Sequence, residues 1–189
     1  MEIERKTIEA LCAEIQQLGK EAFVERYPGA FLLAMGRLEA REIRAAVTRR
    51  PPKAERLDPT VRFVLGDRPR HDLSVAHPLA GHAFHMGPTP EGTGVRIGRG
   101  EKNDVVVPDT SVSERHCRIE IADEGVVIVD LGSTNGTSVN LERLSAGEPV
   151  VLADEDILTV GRYSFQLLTA GACYEELSQL RPAQPEEGE

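Results

Sequence analysis

Three short stretches hold the residue types from which an oxyanion site could be built: Gly98-Arg99, Ser113-Glu114-Arg115-His116 and Ser133-Thr134-Asn135-Gly136. Arg99 offers a planar, permanently charged donor, which suits the acceptor oxygens of a phosphate group. Ser113 adds a hydroxyl donor, and the stretch around Thr134 adds a hydroxyl or a backbone N–H. The Asn135 carboxamide both donates and accepts, so it suits a polypeptide main chain, which presents both kinds of partner. Asn135-Gly136 is also the strongest two-residue hairpin signal, because both residues tolerate positive φ. A turn and a ligand contact are compatible there.

Other chemistries fit less well. Ser113 and His116, with Asp130, are the residue types of a hydrolytic triad. Ser and His three apart in one turn face each other poorly, however, and a triad is defined by geometry. No enzymatic activity is expected. Gly92, Gly94, Gly98 and Gly100 do not follow GxGxxG and lead into a strand, which argues against a dinucleotide loop. His82 and His85, at odd spacing on a strand, fall on opposite faces and do not share a metal site with His77. Neither a metal nor a cofactor is expected. Cys117 alternates with Ile119 and Ile121 and reads as a small core residue. Gly161-Arg162 repeats the Gly-Arg pair but is followed by a strand, so Arg162 reads as a solvated surface residue.

The elements that must position these stretches are short and β-rich. From about residue 61 the runs are VRFVL (61–65), LSVAH (73–77), HAFHM (82–86), VRIG (95–98), DVVVP (104–108), CRIEIA (117–122) and VVIVDL (126–131). TSVN (137–140), PVVL (149–152), ILTVG (157–161) and YSFQLL (163–168) follow. Gly, Asp, Asn or Pro separates nearly all of them. About 11 short strands without intervening helices imply a mainly β chain folded as a β-sandwich. Ahead of them, Ile8, Leu11, Ile15, Leu18 and Ala22 recur at helical spacing, with Cys12 and Phe23 beside them, and predict one amphipathic helix over 3–26. Tyr27-Pro28-Gly29 ends it. AFLLAM (30–35) is too short to classify by period. Residues 36–60 begin weakly helical and become a linker at Pro51-Pro52. The expected organisation is therefore a helical N-terminal extension and linker (1–60), a β-sandwich (61–170), and a short helix with an acidic, disorder-prone tail (171–189).

Composition narrows the partners. The 189 residues include no Trp, five Phe and three Tyr, leaving little with which to stack nucleobases. Residues 1–70 carry a net charge of +3 and residues 71–189 a net charge of −12, so the sandwich would repel nucleic acid. One phosphate could still be held where an Arg and neutral donors converge. No run reaches membrane-span length, and the start lacks the basic and apolar regions of a signal peptide. Three widely spaced cysteines form no disulfide or zinc pattern. A cytoplasmic, reduced protein without a membrane or nucleic-acid partner is expected.

Over roughly residues 70–169 the chain resembles the forkhead-associated (FHA) domain family, whose signature is GR, then SxxH, then SxNG at strand-connecting loops. The later run Leu152-Ala153-Asp154-Glu155-Asp156-Ile157-Leu158-Thr159-Val160-Gly161 extends the likeness. The resemblance implies recognition of a phosphothreonine peptide, and hence an adaptor role downstream of a Ser/Thr kinase, the partner being a phosphorylated protein. It places Arg99, Ser113, Thr134 and Asn135 at the peptide, with Glu114 and Arg115 beside them. It makes His116 a brace of its loop, with Gly98 and Gly136 shaping the turns. Glu114 departs from the family's usual residue; an acid there repels phosphate unless Arg115 or Arg118 neutralises it. The alternative is a scaffold or oligomerisation protein that uses the same sandwich without phosphate, since fold does not fix function.

Overall fold

Ala30, Leu32 and Ala34 lie in the core between two sheets, whereas Phe31 and Leu33 of the same strand, β2 (Ala30–Gly36), are buried beneath helices. A strand covered on both faces loses its polar–apolar alternation, which is why AFLLAM has no readable period. The computed structural model describes residues 3–36, 79–88, 94–122 and 125–179. In it β2 lies within a seven-stranded sheet of order β1-β3-β2-β12-β11-β8-β9. The other strands of this sheet are β1 (Glu4–Thr7), β3 (His82–Met86), β8 (Thr137–Val139), β9 (Glu142–Arg143), β11 (Ile157–Val160) and β12 (Tyr163–Thr169). A five-stranded sheet, β10-β7-β6-β4-β5, faces it. It is built from β4 (Val95–Gly98), β5 (Val105–Val106), β6 (Cys117–Ala122), β7 (Gly125–Asp130) and β10 (Pro149–Leu152). All pairings between these strands are antiparallel except β4 with β5.

The alternating residues of both sheets meet in one core. Leu32, Phe84, Leu158 and Phe165 come from the larger sheet and Ile97, Ile119 and Ile128 from the smaller. The chain is the mainly β sandwich expected, with helical structure near its N-terminus. The runs at 61–65 and 73–77, the boundary at residue 60 and the tail from residue 180 lie outside the described residues.

The single helix expected over 3–26 is corrected. The segment is β1 followed by α1 (Ile8–Gln17) and α2 (Lys20–Arg26). Thr7 sets the boundary: its hydroxyl accepts the Ala10 N–H at 3.1 Å, an N-cap that starts the helix at Ile8. Glu4 to Thr7 are then free to pair with His82–His85 along the sheet edge. Leu18 and Gly19 are extended, and Gly19 is the N-cap of α2. A third helix, α3 (Ala170–Ser178), begins where the Thr169 hydroxyl accepts the Ala172 N–H.

The three helices cover the outer face of the larger sheet. Leu11, Ile15, Phe23 and Tyr27 pack with Leu168, Cys173 and Leu177 in a second apolar cluster. Phe23, fully buried, has its ring centroid 5.0 Å from Tyr27, 5.9 Å from Phe31 and 5.7 Å from Tyr174. Its burial is worth about 1.5–3 kcal/mol. A polar network reinforces the same corner: Lys6 of β1 reaches Glu14 of α1 and the Tyr27 hydroxyl, which donates to Glu14 Oε2 at 2.6 Å.

The turn between β8 and β9 stores strain. Asn140 and Leu141 have φ of +50° and +74°. Asn140 is held there by its carboxamide, which donates to Asp156 Oδ1 at 2.8 Å and accepts the Ile157 N–H at 3.0 Å. Leu141 is exposed and has no such compensation in its side chain. Leu141→Gly should stabilise the fold by about 0.5–1 kcal/mol, the left-handed strain relieved less the added chain entropy of glycine. A thermal melt checks this; a lowered midpoint would mean that Leu141 packs more favourably than its backbone is strained.

Candidate functional site

Hydrogen bonds tie three loops into one surface. At the end of β4 the Arg99 N–H donates to the Ser113 carbonyl at 2.9 Å, and the Gly100 N–H to the Glu114 carbonyl at 3.1 Å. The buried amide of Asn103 bolts this joint, donating to the carbonyls of Gly100 and Glu114, each at 2.6 Å. Gly98 is required by the close approach: a Cβ there would meet the Glu114 carbonyl and stand 2.7 Å from Asn103 Nδ2. The GR and SxxH stretches are therefore adjacent because their backbones are bonded.

His116 joins the second loop to the third. It is completely buried. Its Nδ1 accepts the Ser113 N–H at 3.0 Å, which leaves Nε2 carrying the proton that it donates to the Gly136 carbonyl at 3.1 Å. Burial lowers the imidazole's pKa, against the Gly136 carbonyl and the charge of Asp130, which pull it upward. A neutral ring satisfied at both nitrogens is a brace. Its partners are backbone groups, so no Ser–His–Asp relay exists here.

Asp130 shapes the third loop. Its Oδ1 accepts the N–H groups of Gly132 and Ser133, both at 2.9 Å, and its Oδ2 accepts the hydroxyls of Ser133 and Thr137, both at 2.6 Å. Burial pushes this carboxyl's pKa up, but the Ser133 and Thr137 bonds outweigh it and hold the group ionised below its ordinary range. In the sequence Asp130 stands out only as the acidic residue type of a triad with Ser113 and His116. The usable signal was Asp followed by Gly and Ser two and three residues on, the pattern of a side chain that caps its own turn.

With the loops fixed, three of the expected residues converge directly. Ser113 Oγ accepts the Thr134 N–H at 3.0 Å and lies 3.4 Å from Thr134 Oγ1. The Thr134 N–H is thereby used inside the site, so the group Thr134 presents outward is its hydroxyl. Arg99 is exposed beside them, its Nε donating to the Val112 carbonyl at 3.3 Å. Asn135 donates from Nδ2 to the Ser111 carbonyl at 2.8 Å, leaving its carboxamide oxygen for another partner.

Glu114 and Arg115 do not join this cluster. Both are exposed and line a cavity with Arg96, Lys102 and Asn103. Arg118 pairs with Glu120.

A second support was missed in the sequence. Asp109 accepts the Ser111 N–H at 2.8 Å and the Tyr163 hydroxyl at 2.7 Å and pairs with Arg162. Burial opposes its ionisation, but the Ser111, Tyr163 and Arg162 bonds hold its pKa well below the carboxylate range. Arg162 is exposed as expected, yet it is a partner rather than a solvated bystander: its N–H also donates to Ser111 Oγ at 3.2 Å. Cys117 is buried, and burial pushes its thiol up to about 12, as befits a core residue. Among the described residues no group of three or more His, Cys, Asp and Glu could hold a metal ion, and no helix is long and apolar enough to cross a membrane.

A protein-family model, the FHA domain, matches residues 95–161, the span that contains all three loops. Residues 95–161 are a forkhead-associated domain, and β1, β2, β3 and β12 complete its sandwich from either side. The chain is 36% identical over 91 residues to an FHA domain-containing protein of Arabidopsis thaliana, covering 48% of this chain and 23% of that one. It is 35% identical over 72 residues to the glycogen accumulation regulator GarA of Mycobacterium tuberculosis, covering 38% of this chain and 43% of that one. The chain thus spans less than half the length of these curated relatives. It also resembles a solved structure from a structural and functional analysis of phosphothreonine-dependent FHA domain interactions. That likeness is 31% in sequence at a TM-score of 0.41, over 47% of this chain and 84% of that one.

Proposed function

We propose that this chain is a non-enzymatic adaptor whose FHA domain binds a phosphothreonine on a partner protein, downstream of a Ser/Thr kinase. The observation that carries the reading is the exposed Arg99 bonded through its backbone to Ser113, whose hydroxyl in turn contacts Thr134. One permanent cation and two hydroxyls converge on a surface, the donor set a phosphate needs. The nearby acids do not spoil it: Asp130 is saturated inside its own turn and Asp109 is paired with Arg162. In this reading Arg99, Ser113 and Thr134 hold the phosphate and Asn135 the peptide main chain. Arg115 and Glu114 face residues farther along the peptide, and Gly98, His116 and Gly136 keep the loops in register. The three cysteines are unpaired thiols, which fits a reducing cytoplasm.

The test is one peptide in three forms: threonine, phosphothreonine and phosphoserine. The phosphothreonine form should bind at least several-fold tighter than phosphoserine. The phosphate is common to both, so the difference is the γ-methyl, whose burial is worth about 0.8 kcal/mol before any gain from restricting the side-chain rotamer. The unmodified form should bind far more weakly than either. Equal affinity for the unmodified peptide would replace this reading with that of a phosphate-independent scaffold.

A further inference from the structure

A guanidinium lies across the third loop. A Cβ built on Gly136 would stand 2.6 Å from both Nε and Cζ of Arg143 and 2.7 Å from its Nη2, so the head group rests broadside against the glycine. It is brought there by the β8–β9 hairpin, in which Arg143 pairs with Ser138 and the Leu144 N–H donates to the Thr137 carbonyl at 2.9 Å. Arg96, Arg118 and Arg162 each have a carboxylate partner. Arg143 is exposed, and among the described residues no carboxylate pairs with it. A long, entropy-rich side chain is thus laid on the site's own loop with no carboxylate partner among the described residues.

We propose that Arg143 is a specificity-determining residue that pairs with an acidic side chain flanking the phosphothreonine. The proposal rests on the phosphothreonine reading above. Gly136 follows Asn135 and lies two residues beyond Thr134, and two residues of extended chain span at most about 7 Å. A peptide with its phosphate on Arg99, Ser113 and Thr134 and its main chain on Asn135 therefore carries a neighbouring side chain past Arg143. A planar guanidinium selects a carboxylate there, with which it can form paired bonds.

The experiment uses the intact chain and phosphothreonine peptide libraries in which each flanking position carries either Asp or its neutral isostere Asn. Wild type should favour Asp at one position by about three- to fivefold, the range of an exposed ion pair, and the preference should shrink as salt is raised. Arg143→Gln should abolish that preference and leave affinity for the Asn-bearing peptide unchanged, while Arg143→Lys should keep part of it. An unchanged Asp preference in Arg143→Gln, or an equal loss for both peptides, overturns the proposal while the phosphothreonine reading stands. Failure of every phosphopeptide to bind the folded wild-type chain refutes that reading and this proposal with it.

Discussion

Arg99→Ala should lower phosphothreonine-peptide affinity at least about tenfold while leaving the melting temperature nearly unchanged. The expected loss is about 1.5–3 kcal/mol, that of a charge-assisted bond to an ionised group. Stability is spared because the exposed Arg99 side chain contributes one bond, from Nε to the Val112 carbonyl, whose oxygen can be hydrated instead. The structural contribution of residue 99 is its backbone N–H on Ser113, which alanine retains. Calorimetric titration of both proteins, each shown to be folded, decides the matter. Undiminished affinity in the folded mutant would move the site away from this loop.

His116→Ala should cost both folding and binding. Removing the imidazole opens a cavity in a fully buried position and leaves the Ser113 N–H and the Gly136 carbonyl without partners, a loss of about 2–4 kcal/mol. The second and third loops then lose their common brace, so affinity falls as well. Ser113→Ala is the informative control: it removes a hydroxyl from the binding surface, and the Thr134 N–H that it strands is on an exposed residue that water can serve. Ser113→Ala should weaken binding with a stability loss of about 1 kcal/mol or less. Equal melting temperatures for the two mutants would count against the roles assigned to them.

The same imidazole gives the fold a pH dependence of known sign. Its folded pKa lies below its ordinary value of 6.5, burial being the first cause, so the unfolded chain takes up the proton first as pH falls. Protonation would also place an Nδ1–H against the Ser113 N–H that it now accepts. The His116 contribution should be complete above about pH 6.5 and decline as pH drops below it. Denaturant titrations at a series of pH values should show this slope in wild type and its loss in His116→Ala.

How much of this was legible in the sequence depended on how local each cause is. In the small sheet β4 and β6 alternate, because one face meets the core and the other is less covered; Val95 and Ile97 flank the exposed Arg96 in this way, whereas β7 and β10 are short apolar runs. Their bounds were readable to within a residue or two. β1 was not, because Glu4-Arg5-Lys6-Thr7 is an edge strand without an apolar face, and pairing alone defines it. β9 is two exposed residues and equally silent. In the site, only Asn135-Gly136 carried a local turn signal; the roles expected of Gly98, Ser113 and His116 came from the order of the GR, SxxH and SxNG stretches that the chain shares with the FHA family. The supports could not be read. Asp109 meets Tyr163 and Arg162 from more than fifty residues away, and Arg143 reaches Gly136 only after a hairpin has folded. These are tertiary facts with no local pattern.

The pairing of β2 with β12 sets a time order on the birth of this molecule. Ala30 lies opposite Thr169, more than two thirds of the chain away, and among the described residues β12 is the last strand to be made. Until β12 has left the ribosome, Phe31 and Leu33 have no strand partner on that side and the helices above them have only part of their floor. Contacts of such sequence separation incur their loop-closure entropy before any packing energy is gained, which makes them slow to form. A nascent chain arrested before residue 163 would display an apolar strand with an open edge, the species most exposed to proteases and chaperones.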